Sequence, residues 1–288
     1  MIFSENRFPL FGIMRPHPCR LWRWLGYNYP KQKAPIRDRM PPQTRVNTPL
    51  GPELDLPPGF RLVTLREVGD AFLHAKANAA ELGAGSLVFV GRFDLAEFAV
   101  VLEPDEPLRT ARRAFYAGLA ALADALATHA PPEKPIAFEW PDAIRVDSGL
   151  VGGGRLAWPD GPEDEPPAWL VFGGMIRTVS MDDREAGLRP LSAALEEEGF
   201  DDLASGRLVG SFARHLMVLV DAWQEKGFAA VAKDYLSRLP AEKGVRRDID
   251  DNGDLLVRQA GKVEIARRRL LPALAKPTWL DPKTGGPK

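Results

Sequence analysis

The side chains that carry most nucleophilic and metal-dependent chemistry are scarce in this 288-residue chain. It has one cysteine, Cys19, and four histidines, His17, His74, His129 and His215, which lie too far apart to have metal-ligand spacing. The sequence therefore predicts no metal site. It also has no Gly-x-Ser-x-Gly nucleophile motif, no P-loop and no dinucleotide-binding glycine fingerprint, so the enzyme classes that depend on these motifs are excluded.

The most distinctive stretch covers residues 138–158, FEWPDAIRVDSGLVGGGRLAW. A short strand is predicted to end in the Trp-Pro-Asp turn at 140–142. Three consecutive glycines at 152–154 then precede Arg155 and another strand. The pattern predicts a strand, a turn, a loop and a second strand that continues into a hairpin.

Apolar periodicity predicts the elements that surround this stretch. Asp105 and Pro107 suit the start of a helix whose apolar stripe includes Phe115, Leu119, Leu122 and Leu126. The dipeptide Asn252-Gly253 favours a hairpin turn, because both residues tolerate positive φ. The remaining strands are predicted at 61–68, 83–93, 97–104, 136–140, 153–158 and 168–179, the remaining helices at 69–82, 190–200, 208–223 and 228–239, and a small β unit at 245–268.

The bulk composition is that of a globular protein, with 45% hydrophobic and 27% charged residues. The net charge of −1 does not indicate nucleic-acid binding, which needs a basic surface. No apolar run approaches the roughly 18–20 residues of a membrane span, so no membrane association is expected and a cytoplasmic location is the default.

The first fifty residues differ from the rest, since they carry nine Lys/Arg and two Asp/Glu, a net charge of +7. We interpret residues 1–55 as a disordered basic leader, because no sustained period is present. Two other interpretations stay open: a basic, aromatic arm that binds a partner, and an over-extended start with the working start at Met40.

Three segments, in this order of elements, resemble the biotin/lipoate A/B protein ligase family over about residues 60–280. FEWPDAI (138–144) is similar to the family's Lys-Trp-Pro-Asn-Asp-hydrophobic segment, which leads into a Lys-x-x-Gly turn and a hairpin. RPLSAALEEEGF (189–200) is similar to a region where a Ser-Leu pair and an acidic run open a helix. The segments 223–239 and 249–257 resemble the last helix before the family's small SH3-like domain and that domain's first hairpin.

The chain departs from the family at the lysine whose ammonium polarises the acyl carboxylate and stabilises charge during adenylate formation and transfer. An ungapped count from Trp140 places Leu150 there, and residues 135–225 contain no lysine. Arg155 is the nearby cation that could substitute, although a planar guanidinium is not equivalent to a compact ammonium.

Two other family features are altered. The Gly/Arg-rich loop that covers the acyl group and the adenylate is reduced to Gly91 and Arg92, and the nearby Asp94 and Glu97 would repel phosphate. In the Trp-Pro segment, Asp142, Ala143 and Glu139 stand where the family has Asn, Asp and Lys.

The resemblance implies an α/β (α+β) core, with a mixed, mainly antiparallel sheet flanked by helices, over residues 56–240. A small C-terminal SH3-like β domain is expected at 241–288. The implied substrates are biotin, lipoate or octanoate with ATP and Mg²⁺, and the implied acceptor is a lysine of a biotinyl or lipoyl carrier domain. The implied site comprises Arg155 as the catalytic cation, Arg92 as a second holder of negative charge, Trp140, Pro141 and Asp142 as pocket walls, and Gly152, Gly153 and Gly154 as the pocket floor.

Alternatives to this function remain open. The missing lysine and the short loop favour a catalytically degenerate module that binds a ligand or a protein partner on the same fold. The glycines could instead form a β-bulge or a hairpin bend. The acidic, proline-rich stretch 159–167 is expected to be a solvated loop, and a third hypothesis is that it docks a basic partner.

Overall fold

The computed structural model describes residues 54–66, 69–181, 191–201 and 203–288. Residues 1–53 of the predicted leader, with Cys19 and the alternative start at Met40, lie outside the described residues. The statements below concern the described residues alone.

One large sheet organises the chain. Its strands lie in the order β1-β2-β3-β7-β6-β5-β4. The β1–β2 pair is parallel and every other neighbouring pair is antiparallel. The expected mixed, mainly antiparallel sheet is therefore confirmed, with β5 as an additional strand that the apolar pattern did not predict. The strands are β1 (Arg61–Leu65), β2 (Ser86–Gly91), β3 (Leu95–Leu102), β4 (Ile136–Glu139), β5 (Ala143–Val146), β6 (Gly149–Ala157) and β7 (Leu170–Arg177).

Helices cover both faces of this sheet. On one face, α1 begins after Asp70, whose carboxylate accepts a hydrogen bond from the Leu73 amide at 2.8 Å, and packs Phe72 and Ala75 against Val88 and its neighbours. The other face holds the main core, where α3 lies between the sheet and two further helices. The helices are α1 (Ala71–Leu82), α2 (Leu108–Ala111), α3 (Ala114–His129), α4 (Ser205–Lys226) and α5 (Ala229–Ser237). Within the described ranges, none of them is long and apolar enough to cross a membrane.

The helix predicted at 190–200 is wrong for the part that the structure describes, because residues 191–201 form turns. Their backbone groups pair with the sheet: the Leu150 amide donates to the Leu191 carbonyl and the Leu195 amide to the Arg177 carbonyl, both at 3.0 Å. The helix predicted from Asp105 is also divided, since α2 ends at Ala111 before α3 begins. For residues 191–201, hydrogen bonds to residues distant in sequence override local helix propensity.

The acidic stretch 159–167 is held against the chain's own α2. Glu163 accepts two hydrogen bonds from Arg112, at 2.7 and 2.6 Å, and Asp164 pairs with Arg109. Docking of a basic partner would have to compete with these two arginines.

A second sheet follows α5. It consists of the antiparallel strands β8 (Val245–Ile249), β9 (Leu255–Gln259) and β10 (Ile265–Arg268), and the helix α6 (Leu270–Leu274) follows it. The predicted hairpin at Asn252-Gly253 is confirmed, with Gly253 at a φ of 82°. The buried Ile249, Leu255 and Leu270 belong to the same hydrophobic cluster as α3. The division at 240/241 thus marks a change of sheet, and as a domain boundary it stays a prediction.

Tyr116 on α3 joins the two sheets, because its buried hydroxyl donates a hydrogen bond to the Gly253 carbonyl at 2.6 Å. Tyr116→Phe is expected to lower the free energy of unfolding by about 1 kcal/mol, since the carbonyl loses its donor. Urea denaturation followed by circular dichroism should show one transition in both proteins. Ser237→Ala removes an exposed hydroxyl and should change the free energy by less than about 0.5 kcal/mol. Two separate transitions would contradict the shared core.

Candidate functional site

A row of residues crosses the sheet on the face that α1 partly covers. Strand register places Val90, Glu97, Met175, Gly153 and Ala143 side by side on β2, β3, β7, β6 and β5. Glu97 is the charged member of this row. The row runs across this face from β2 to β5, and its members are buried. We call the region above it, which other parts of the chain cover, the cleft.

The carboxyl group of Glu97 lies at the N-terminus of α1. It accepts a hydrogen bond from the Ala71 amide at 2.9 Å, and the residue is 3% exposed. Burial raises the pKa of Glu97, and the nearby Asp70 raises it further, while the Ala71 amide, Arg155 and Arg92 lower it. The Ala71 amide favours the charged form, because first-turn amides lack partners within their own helix, but burial outweighs it and the pKa stays raised.

Arg155 and Arg92 both lower the pKa of Glu97, so both guanidinium groups lie within electrostatic range of this carboxyl group. The guanidinium of Arg155 lies 3.4 Å from the Asp70 carboxylate and 4.4 Å from the centre of the Phe72 ring. Arg92 donates two hydrogen bonds to Asp94, at 3.0 and 2.7 Å. Both arginines thus have carboxylate partners supplied by the protein.

The Trp-Pro-Asp turn is divided between the two faces. Trp140 packs against the main core, and the Pro141 carbonyl accepts a hydrogen bond from Tyr235 of α5 at 2.8 Å. Asp142, at 0% exposure, instead accepts two hydrogen bonds from Thr278, from its hydroxyl at 2.6 Å and its amide at 3.0 Å. The structure therefore does not bring Trp140 to the cleft.

A Cβ added at each of the three glycines would contact a different part of the chain. A Cβ on Gly152 would lie 2.0 Å from the Met175 carbonyl oxygen, next to a register shift between β5 and β6. A Cβ on Gly154 would contact Leu119 in the main core at 3.0 Å. A Cβ on Gly153 would lie 2.4 Å from the Trp279 ring. The register shift supports the bulge alternative. The groups against Gly153 are the chain's own Asp142 carbonyl and Trp279 ring, and the approach of a bound acyl chain or partner stays a prediction.

Trp279 lies on the floor of the cleft. It is 1% exposed, and its Nε1 donates a hydrogen bond to the Gly154 carbonyl at 3.2 Å. With Leu95, Ala143, Leu150 and Met175 it forms a small apolar cluster on this face of the sheet.

The model of the biotin/lipoate A/B protein ligase family matches residues 56–237. This chain belongs to that family.

Solved structures agree with the family assignment. A biotin protein ligase-like protein of unknown function from Silicibacter sp. TM1040 is 26% identical, with 75% of this chain and 96% of that chain covered and a TM-score of 0.63. The biotin protein ligase of Aquifex aeolicus is 15% identical, with 73% and 100% covered and a TM-score of 0.54, a likeness that shows the fold alone. A comparison with curated proteins gives no match.

At the position that the resemblance assigns to the family's lysine, this family member has an apolar surface. Leu150 packs in the cluster with Trp279. The nearest preceding lysine, Lys134, is paired with Asp147 and Glu198, both at 2.8 Å. Within the described ranges, no group of three or more His, Cys, Asp or Glu side chains is placed to hold a metal ion.

A cavity of about 250 Å³ adjoins Leu150. Its volume lies just below the usual range for small-molecule sites. Lys288 reaches this cavity from the last residues of the sequence, and its Nζ donates to the Thr278 carbonyl. The lining residues are Glu139, Ala143, Arg145, Leu150, Leu191, Ser192, Thr278, Trp279 and Lys288.

Sequence reasoning missed the structural roles of Glu97, Asp70, Thr278 and Trp279. Glu97 carried a signal, because it is the charged residue in the otherwise apolar strand LAEFAVVL. The contact between Asp142 and Thr278 joins residues 136 positions apart, and no local pattern indicates it.

Burial raises the pKa of Asp142 to about 6, although the Thr278 hydrogen bonds act in the opposite direction. The folded chain then holds this proton more tightly than the unfolded chain, so ionisation of Asp142 should reduce the free energy of unfolding as the pH rises from about 4 to about 6. Asp142→Asn cannot ionise. The difference between variant and wild type in urea denaturation should therefore change by about 2 kcal/mol across this window, in favour of the variant. Parallel pH profiles would contradict the raised pKa.

Proposed function

We propose that this family member is a binding protein built on the ligase fold. It takes up a biotin- or lipoate-like molecule through the molecule's uncharged part, and it does not form the acyl adenylate. The observation that carries the proposal is the position of Glu97, a carboxyl group of the protein that accepts a hydrogen bond at the N-terminus of α1 and lies within electrostatic range of two arginines.

The charge balance of the cleft supports this proposal. To bind a substrate carboxylate or phosphate, a site needs hydrogen-bond donors and positively charged groups that are not already paired with other groups. Arg155 already has Asp70 and Glu97, and Arg92 already has Asp94. An incoming anion would have to displace one of these carboxylates or lie close to them, and like charges at short range repel.

The apolar part of the cleft supports binding of an uncharged group. Ala143, Leu150 and Met175 present aliphatic surface, and an aromatic ring already packs on it. A ring system such as that of biotin or lipoate could make the same kind of contact. The Aquifex aeolicus ligase, whose fold this chain shares, has been solved in complex with biotin and ATP.

The test compares each acid with its uncharged amide. Thermal unfolding is measured with biotin, biotinamide, lipoate, lipoamide and octanoate, each with and without ATP and Mg²⁺. A ligand at about 100 times its dissociation constant adds roughly 2.7 kcal/mol, a rise of several degrees in the midpoint. We expect at least one amide to stabilise the chain as much as its acid, with no further rise from ATP.

Two results would contradict the proposal. One is stabilisation by an acid but not by its amide, because that outcome requires recognition of the carboxylate. The other is a further rise with ATP together with pyrophosphate release, because that outcome is adenylate formation.

Glu97→Gln tests the charge argument. The glutamine oxygen can still accept the Ala71 hydrogen bond, but the side chain can no longer carry a negative charge within electrostatic range of Arg155 and Arg92. We expect the affinity for biotin relative to biotinamide, measured by calorimetry, to rise at least about tenfold. Glu103→Gln is the matched control, because Glu103 accepts the Ala84 amide at 3.1 Å beyond the other end of α1. An equal ratio in the two variants would contradict the argument.

The second candidate function is ligase activity with Arg155 in place of the lysine, acting on a carboxylic acid, ATP and a carrier-domain lysine. The observation that favours it is that Arg155 and Arg92 both lower the pKa of one carboxyl group, that of Glu97. Under this hypothesis Arg155→Ala abolishes pyrophosphate release. Unchanged release would remove Arg155 from the reaction.

A further inference from the structure

Residues 276–288, which we call the strap, cross the sheet face without joining the sheet. The strap contains no helix and no strand, and its backbone pairing is the isolated bridge between Leu280 and Pro287. Trp279 and Pro287 are its buried residues.

A few anchors hold the strap in place. Thr278 donates both its hydrogen bonds to Asp142, and Trp279 donates one to the Gly154 carbonyl. Near the other end, the Pro287 carbonyl accepts a hydrogen bond from Arg177, and the Lys288 backbone oxygen accepts hydrogen bonds from Arg177 at 3.3 Å and from Ser192 at 2.7 Å.

The strap blocks the cleft at a definite distance from α1. Trp279 lies over Gly153 on β6, and Glu97 lies two strands away on β3 in the same row. Neighbouring strands are 4.7–4.9 Å apart, so the separation is roughly 10 Å. A ligand that extends further than this from the N-terminus of α1 along the row meets the indole ring.

We propose that the strap is a displaceable occupant of the cleft, in which Trp279 takes the place of the apolar part of a ligand. The strap leaves when a ligand binds, so it is an autoinhibitory contact within the chain. The identity of the ligand rests on the function proposed above, whereas the displacement of the strap does not.

The anchors explain why the strap can leave. A segment without ladder hydrogen bonds and with few buried residues opens at a lower free energy than the strands beneath it. Its departure removes none of the strand pairs of the sheet and uncovers apolar surface that a ligand ring can cover again. A tethered segment acts at an effective concentration in the mM range. The strap therefore prevents binding of molecules whose affinity for the cleft is too low to displace it, although it is not permanently fixed.

The experiment uses the full chain and a fluorescent peptide with the sequence of residues 276–288 as the probe. Thr278→Val removes the hydroxyl that donates to Asp142 and keeps the side-chain shape. Thr284→Val is the matched control, because the Thr284 hydroxyl contacts the Gly286 amide within the strap, at 3.3 Å. We expect the Thr278→Val chain to bind the peptide about tenfold more tightly than the control chain, since a hydrogen bond to a charged group is lost from the internal competitor.

A second peptide identifies the site. The peptide with Trp279→Ala should not bind either chain, because it lacks the ring that packs on Gly153. Equal binding of the first peptide to the two chains, or binding to neither, would overturn the proposal.

Biotinamide is then added to the complex of peptide and Thr278→Val chain. Release of the peptide supports both the strap and the proposed function. If none of biotinamide, lipoamide, biotin and lipoate displaces the bound peptide, the proposed ligand class is contradicted. The proposal that the strap is displaceable is then unaffected. The proposal of a displaceable strap would be overturned if these molecules bound the Thr278→Val chain more weakly than the control chain. The strap would then be a wall of the binding site.

Discussion

The burial of one carboxyl group, that of Glu97, sets the chemistry of the whole cleft. It takes the first free amide of α1, the hydrogen-bonding position that would otherwise attract a ligand anion. It also lies within electrostatic reach of Arg155 and Arg92, and these arginines offset part of the free energy that its burial would otherwise add. The positive charge near this carboxyl group is consequently already paired within the protein.

The remaining half of the cleft follows a second constraint, the absence of a side chain at Gly153. A flat ring can then lie directly on β6, and Trp279 does so. Leu150 next to it makes the surface apolar at the position where the resemblance places the family's ammonium group. Under the proposed function, the two halves together favour an uncharged ligand that lies flat on the sheet, and they disfavour a carboxylate that must be activated.

The sequence predicted what depends on local pattern: the amphipathic stripe of α3, most strand positions, the hairpin at Asn252-Gly253 and, through the resemblance, the family. It failed where distant parts of the chain decide. A helix is predicted at 190–200 because the segment is rich in Ala, Leu and Glu, yet backbone groups of residues 191–196 form hydrogen bonds with β6 and with the end of β7. The contact of Trp279 with Gly153 and that of Thr278 with Asp142 arise from the fold of the last residues, which no periodicity describes.

The most direct test is a crystal structure of the full chain with biotin. The account predicts that Glu97 keeps its hydrogen bond to the Ala71 amide, that the biotin ring lies on Gly153 with Trp279 displaced, and that the biotin carboxylate has no hydrogen bond to Arg155 or Arg92. A biotin carboxylate bound to Arg155, with Glu97 turned away from α1, would contradict it.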